Sequence, residues 1–278
     1  MKRLLLIISL LILSIGFSQQ EYNVNDLIEM DNGLLTVKFS DEPITGKVYG
    51  YFGEVKPLKK VYMGKILNGK QEGRWKSYHN NTGRKSSDDN YKNGLKNGLS
   101  TLWWENGQKM MELTFKDGKE DGLSTIWYEN GQKKSEITFK DGKKDGLITV
   151  WYENGQKQLA AYLRNSIPDG IGKGWYANGN KEYEKNFKDG QQHGLTILWD
   201  ENGSKYEKNF KDGQQHGLNI VWDKYGNKIM ESTFKDGYFV SLKEWNSDGS
   251  LKKLKPFQNE DGSIKKNLKS PPIYKTND

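Results

Sequence analysis

The residues best equipped for chemistry in this 278-residue chain are three histidines, His79, His193 and His216, and several clustered carboxylates. His193 and His216 occupy equivalent places in the phrase FKDGQQHGL, which occurs twice. Two imidazoles make a zinc site only when both reach one ion at about 2 Å. Copies in neighbouring hairpins of a sheet would stand about 10 Å apart, so they read as turn histidines. Asp141 with Asp145, and Asp117 with Glu120 and Asp121, offer the oxygen ligands that calcium takes. Lys140, Lys143 and Lys144 stand among them, and their charge opposes a cation. No Walker loop, nucleophile elbow or metalloprotease signature occurs. These residues point to no enzyme, no cofactor and no metal.

What positions them is a repeat. Trp103, Trp127, Trp151, Trp175, Trp199, Trp222 and Trp245 are separated by 24, 24, 24, 24, 23 and 23 residues. Tyr91, Phe115, Phe139, Leu163, Phe187 and Phe210 precede the first six by twelve. In one repeat, WYENGQKKSEITFKDGKKDGL, the dipeptide Asn130-Gly131 predicts a type I′ hairpin turn, because both residues tolerate positive φ. The incoming strand is Leu123 to Tyr128. The outgoing strand runs from Lys133 to Phe139, with Ser135, Ile137 and Phe139 on one side and Lys134, Glu136 and Thr138 on the other. Gly142 and Gly146 bound a polar loop leading to the next hairpin.

Such hairpins predict an all-β fold, an elongated single-layer twisted antiparallel sheet of about eight consecutive β-hairpin repeats over residues 43–250. The composition agrees, with 34% hydrophobic residues against 12% aromatic and a mean hydropathy of −0.90. Stacking of the aromatic ladder between neighbours is the expected source of stability.

The flanks speak of compartment. Residues 1–18 read as a signal peptide: Lys2 and Arg3, an apolar run from Leu4 to Ile15, then Gly16 and Ser18 before Gln19. A membrane anchor is the alternative, but the run is shorter than the ~20 residues of a span. Without cysteine there is neither lipoprotein attachment nor a disulfide. The expected location is exported, periplasmic or secreted. Residues 19–42 form a lead-in, and 251–278 a basic flexible tail with Pro256, Pro271 and Pro272.

The net charge is +7. Lys109, Lys133, Lys157, Lys181, Lys205 and Lys228 form a ladder, with Glu112, Glu136, Glu184 and Glu231 three residues after four of them. Simple alternation puts those glutamates on the opposite side of the strand. A solvated face of both signs is the plain reading, and a site for an anionic polymer the alternative. No nucleic-acid-binding motif is present.

At WYENGQ, TFKDGKKDGL and DEPITGKVYGYF, over residues 43–250, the chain resembles the bacterial MORN-repeat variant proteins, the YwqK-family antitoxins. The resemblance implies a sheet of hairpins of a kind linked to protein or membrane contacts, and raises an antitoxin or immunity-type role. The chain departs from the pattern at Leu163-Arg-Asn-Ser166 and at Pro168, which reads as drift of the repeat, with a bend or local binding feature as the alternative.

The candidate partner-binding surface is the face opposite the tryptophans. It carries Leu102, Ile126 and Val150, with Leu198 and Val221, and beside the turns Trp104, Tyr128, Tyr152 and Tyr176, which give way to Asp200 and Asp223. A single layer cannot bury apolar groups on both faces, so part of this surface is covered by the termini, exposed, or used for a partner. The competing reading packs the tyrosine rings under lysine stems. Two functions follow: an exported protein-binding scaffold, or a module for envelope glycan or the membrane surface.

Overall fold

The computed structural model describes residues 20–54 and 56–252. The expected signal peptide, and the tail beyond Lys252, lie outside the described residues. Two compact units divide the chain, one ending at Gly131 and the other starting at Gln132. Both are built of antiparallel β-hairpins, as the repeat predicts, with one short parallel strand added in the first. Among the described residues the one helical element is a single 3-10 turn, Val24–Asp26.

In the N-terminal unit, strands Gly46–Phe52, Lys59–Leu67, Lys70–Tyr78, Lys85–Lys92, Gly98–Trp103, Lys109–Lys116 and Gly122–Trp127 pair in chain order. Glu21–Asn23 adds a parallel strand beside Gly46–Phe52, and a small hairpin joins Leu27–Glu29 to Leu35–Val37. This lead-in supplies the second layer that a single sheet lacks. Ile44, Val48, Phe52, Met63, Ile66 and Trp75 form a buried cluster, with Tyr22, Leu27 and Leu35 packed on it. Glycine is required beneath Trp75: a Cβ on Gly64 would stand 2.4 Å from the indole. The indole Nε1 donates to the Lys65 carbonyl at 3.0 Å, so the buried polar group is satisfied.

The C-terminal unit repeats one theme through Lys133–Lys140, Lys143–Trp151, Lys157–Arg164, Gly170–Trp175, Lys181–Lys188, Gly194–Trp199, Lys205–Lys211, Gly217–Trp222, Lys228–Lys235 and Tyr238–Glu244. Each strand pairs antiparallel with the next.

The turns correct the sequence reading. The Asn-Gly dipeptide does not make a type I′ turn. Gly107 has φ 90°, but Asn106 and Asn130 do not enter the left-handed region. Gly107 N–H donates to the Trp104 carbonyl and Trp104 N–H to the Gln108 carbonyl, both at 2.9 Å. That pattern is a three-residue loop ending in a glycine bulge. Asparagine serves through its side chain: Asn154 Oδ1 accepts from Gln156 N–H at 3.0 Å, and Nδ2 donates to the Ala177 carbonyl, one repeat on, at 2.8 Å.

The type I′ turn is Asp-Gly. Asp189 and Gly190 have φ 49° and 82°, and Lys188 faces Gln191 across them. The expected polar loop is therefore a tight hairpin, and its residues continue as strand. Phe187 faces Gln192 and His193 N–H still bonds the Asn186 carbonyl at 2.9 Å, but Tyr183 faces Leu198, so two extra residues are taken up in a bulge after His193, where Gly194 has φ 83°. At the divergent repeat, Asn165 and Ser166 take φ 51° and 69° and make the same turn, with Arg164 facing Ile167 across it.

Candidate functional site

The tryptophan face is organised by lysine. Lys109 lies 5.5 Å from the Trp127 ring, Lys181 5.3 Å from Trp199, Lys205 4.7 Å from Trp222 and Lys228 4.3 Å from Trp245. The ladder is thus joined by cation–π contacts between successive repeats, a different arrangement from the ring-on-ring stacking expected. Each lysine is also held by a glutamate. Lys181 Nζ meets Glu184 at 2.8 Å and Lys228 Nζ meets Glu231 at 2.9 Å. Placing those glutamates on the opposite side of the strand was wrong, because a bulge after the lysine changes the alternation. Lys205 shows the rule: its strand pairs with Gly194–Trp199 without a register shift, and the lysine pairs with Glu207, two residues on, at 2.9 Å. Hydrogen bonds from Lys181 and Lys228 hold the Glu184 and Glu231 carboxyls below the usual range.

Two features of this face escaped the sequence reading. In the N-terminal unit Arg74 grips the buried Asp88 in a bidentate pair at 2.6 Å, with Lys85 at 3.0 Å, beside an open cleft of about 460 Å³ that reaches Trp103. Hydrogen bonding from Arg74 outweighs the upward push of burial and holds the Asp88 carboxyl below its usual range. The second is a row of exposed aliphatics, Leu147, Ile171, Leu195 and Leu218 in the C-terminal unit, each following the bulge glycine. Their signal was legible as the residue four before each tryptophan.

On the other face, Leu102 and Ile126 both pair with Met111, and Val150 pairs with Ser135 and Leu159. All three are half-buried, as are Trp104, Tyr128, Tyr152 and Tyr176. Tyr152 Oη donates to the Trp175 carbonyl at 2.9 Å and Tyr176 Oη to the Trp199 carbonyl at 2.8 Å. These hydroxyls tie one repeat to the next, and burial pushes Tyr176 above its ordinary pKa. His79 holds the same position, with Nε2 3.1 Å from the Trp103 carbonyl. Asp200 and Asp223 close their own turns instead, Asp200 accepting from Ser204 N–H at 2.8 Å and Asp223 from Asn227 N–H at 2.9 Å. The bonds from Asn227 keep Asp223 acidic. Within the C-terminal unit, a recess of about 220 Å³ opens between Tyr206, Val221, Met230 and Phe234.

The remaining histidines join successive Asp-Gly turns. His193 Nδ1 lies 3.3 Å from Asp212 Oδ1, and His216 Nδ1 lies 3.1 Å from Asp236 Oδ1. Among the described residues no three His, Asp or Glu side chains are grouped to hold a metal ion.

The MORN repeat variant family matches residues 96–117, 120–141 and 168–189, each window ending at the first residue of an Asp-Gly turn or its equivalent. These segments are MORN-variant repeats. A search of curated proteins finds no match to the chain. The MORN-variant windows each contain one incoming strand, one Asn-Gly loop and one outgoing strand, and the strand order extends the same design to residues that the family does not match.

Proposed function

We propose that this MORN-variant chain is an exported, non-enzymatic scaffold that holds a protein partner against the face opposite the tryptophans. The supporting observation is how differently that apolar face is treated along the chain. The first strands of the N-terminal unit have a buried core under residues 20–44, whereas Val150, Leu198 and Val221 of the C-terminal unit are only half-buried, and Val221 lines an open recess. Half-buried apolar and aromatic groups with polar tips suit a protein interface. Export rests on the Leu4 to Ile15 run, and an antitoxin or immunity-type role is a special case of the same reading.

The test is capture from cell extract on the immobilised full chain, compared with a Val150→Ser, Val221→Ser variant whose β circular dichroism is unchanged. Loss of one specific protein with the variant supports the reading. Retention of that protein, or of envelope polysaccharide alone, opposes it. The glycan alternative is favoured by the Arg74 and Asp88 cleft beside Trp103, which pairs an indole with polar side chains able to bind hydroxyls. Binding of purified envelope polymer that is lost on Trp103→Ala would support it.

A further inference from the structure

The tryptophan face of the C-terminal unit carries a second, independent surface. Leu147, Ile171, Leu195 and Leu218 are 56%, 53%, 38% and 39% exposed, one per repeat and in one row. Across the strand pairs they face Tyr162, Asn186, Asn209 and Thr233. Two residues beyond each of those, on the same side of the strand, stand Arg164, Lys188, Lys211 and Lys235, all exposed. An aliphatic row is thus bordered by a basic row, in which Arg164 is already held by Asp169 at 2.9 Å and Lys188, Lys211 and Lys235 carry the border over the other three repeats. The inner glutamates of this face cannot neutralise that border, because Glu184, Glu207 and Glu231 are already held by Lys181, Lys205 and Lys228.

We infer that this row binds an acidic, extended polypeptide segment with an aliphatic residue at every third position. Each repeat contributes two strands, so the row advances about 10 Å per step. Three residues of a polyproline-II chain advance about 9 Å, which brings one side chain to each step. Seven residues of an α-helix also advance about 10 Å, but sheets twist by roughly 20–25° per strand, and a straight helix would leave the row after one or two repeats. An extended chain has no internal hydrogen bonds and follows the twist. The basic border selects carboxylates beside the aliphatic anchors.

The test uses the full chain and fluorescent peptides of about eighteen residues, built of Leu, Glu and Asp. Peptide one has its leucines at every third position, peptide two has the same composition with those leucines gathered at alternate positions of one stretch, and peptide three has the same leucines in a seven-residue helical pattern. Fluorescence anisotropy is expected to give peptide one at least tenfold tighter binding than the others, with a tenfold loss on Ile171→Ser, Leu195→Ser. Because these two residues are exposed, that variant should keep its melting temperature. Lys188→Gln, Lys211→Gln should weaken binding and reduce its salt dependence. Equal binding of all three peptides would reduce the surface to plain electrostatics and overturn the inference, as would preference for the helical peptide. A sedimentation shift of the free chain to a dimer that the Ile171, Leu195 variant abolishes would assign the row to a second copy. Failure of the peptides leaves capture on the Val150 and Val221 face untouched, so the two readings fall separately.

Discussion

The two turn types differ in what they demand of their polar residue, and substitution separates them. At Asp189 the demand is conformational, because φ is 49°. Asn should be neutral there, and Ala should cost about 1–2 kcal/mol for entering the left-handed region with a Cβ. At Asn154 the demand is for the side chain, which accepts from Gln156 N–H at 3.0 Å and donates to the Ala177 carbonyl at 2.8 Å. Two net hydrogen bonds amount to about 1–3 kcal/mol. Ala and Gly should therefore be equally harmful at Asn154, because freedom at positive φ returns neither bond. Asp should recover the acceptor alone and about half the loss. For a chain of this size each kcal/mol shifts the melting temperature by about 2–4 °C, within reach of calorimetry or circular dichroism. If Asn154→Gly melts with the wild type and Asp189→Ala is harmless, the assignment of the two turns is wrong.

Three further outcomes follow from the geometry. A Cβ on Gly174 would lie 2.2 Å from the Tyr183 ring, whereas one on Gly172 would lie 3.5 Å from Phe187, so Gly174→Ala should cost about 1–3 kcal/mol in thermal melts and Gly172→Ala far less. Asp88 is held below its unfolded pKa by Arg74, so its stabilisation is present above about pH 4 and is lost as pH falls through the folded value; Asp88→Asn should flatten that acid limb of the stability profile. Tyr152→Phe and Tyr176→Phe should each lose about 1 kcal/mol by removing the bond to the next repeat, and a thermal shift no larger in the double variant than in either single one would show that these bonds do not join the repeats.

The regular spacing of Trp127 to Trp245 was enough to read the hairpin meander, because strand alternation and aromatic period follow directly from residue order. Turn type was not legible. Asn-Gly and Asp-Gly both tolerate positive φ, and only hydrogen-bond partners one repeat away distinguish them. The Lys–Glu pairs were misplaced for a related reason: one bulged residue reverses the side on which every later side chain stands. The role of Tyr152 and Tyr176 as ties between repeats needed the carbonyls of Trp175 and Trp199, which lie 23 residues on. Leu195 and its equivalents were visible but passed over, since a leucine in a strand ordinarily points to a core.

The central claim, that the face opposite the tryptophans holds a protein, is tested most directly by site-specific photo-crosslinking in living cells. A photoreactive side chain would replace Val221 beside the recess, and in a second strain Tyr225, an exposed turn residue outside that recess. A discrete protein adduct from position 221, suppressed by excess unmodified chain and absent from position 225, is the predicted result. Adducts of equal yield from both positions, or none from position 221 while the chain stays folded, would contradict it.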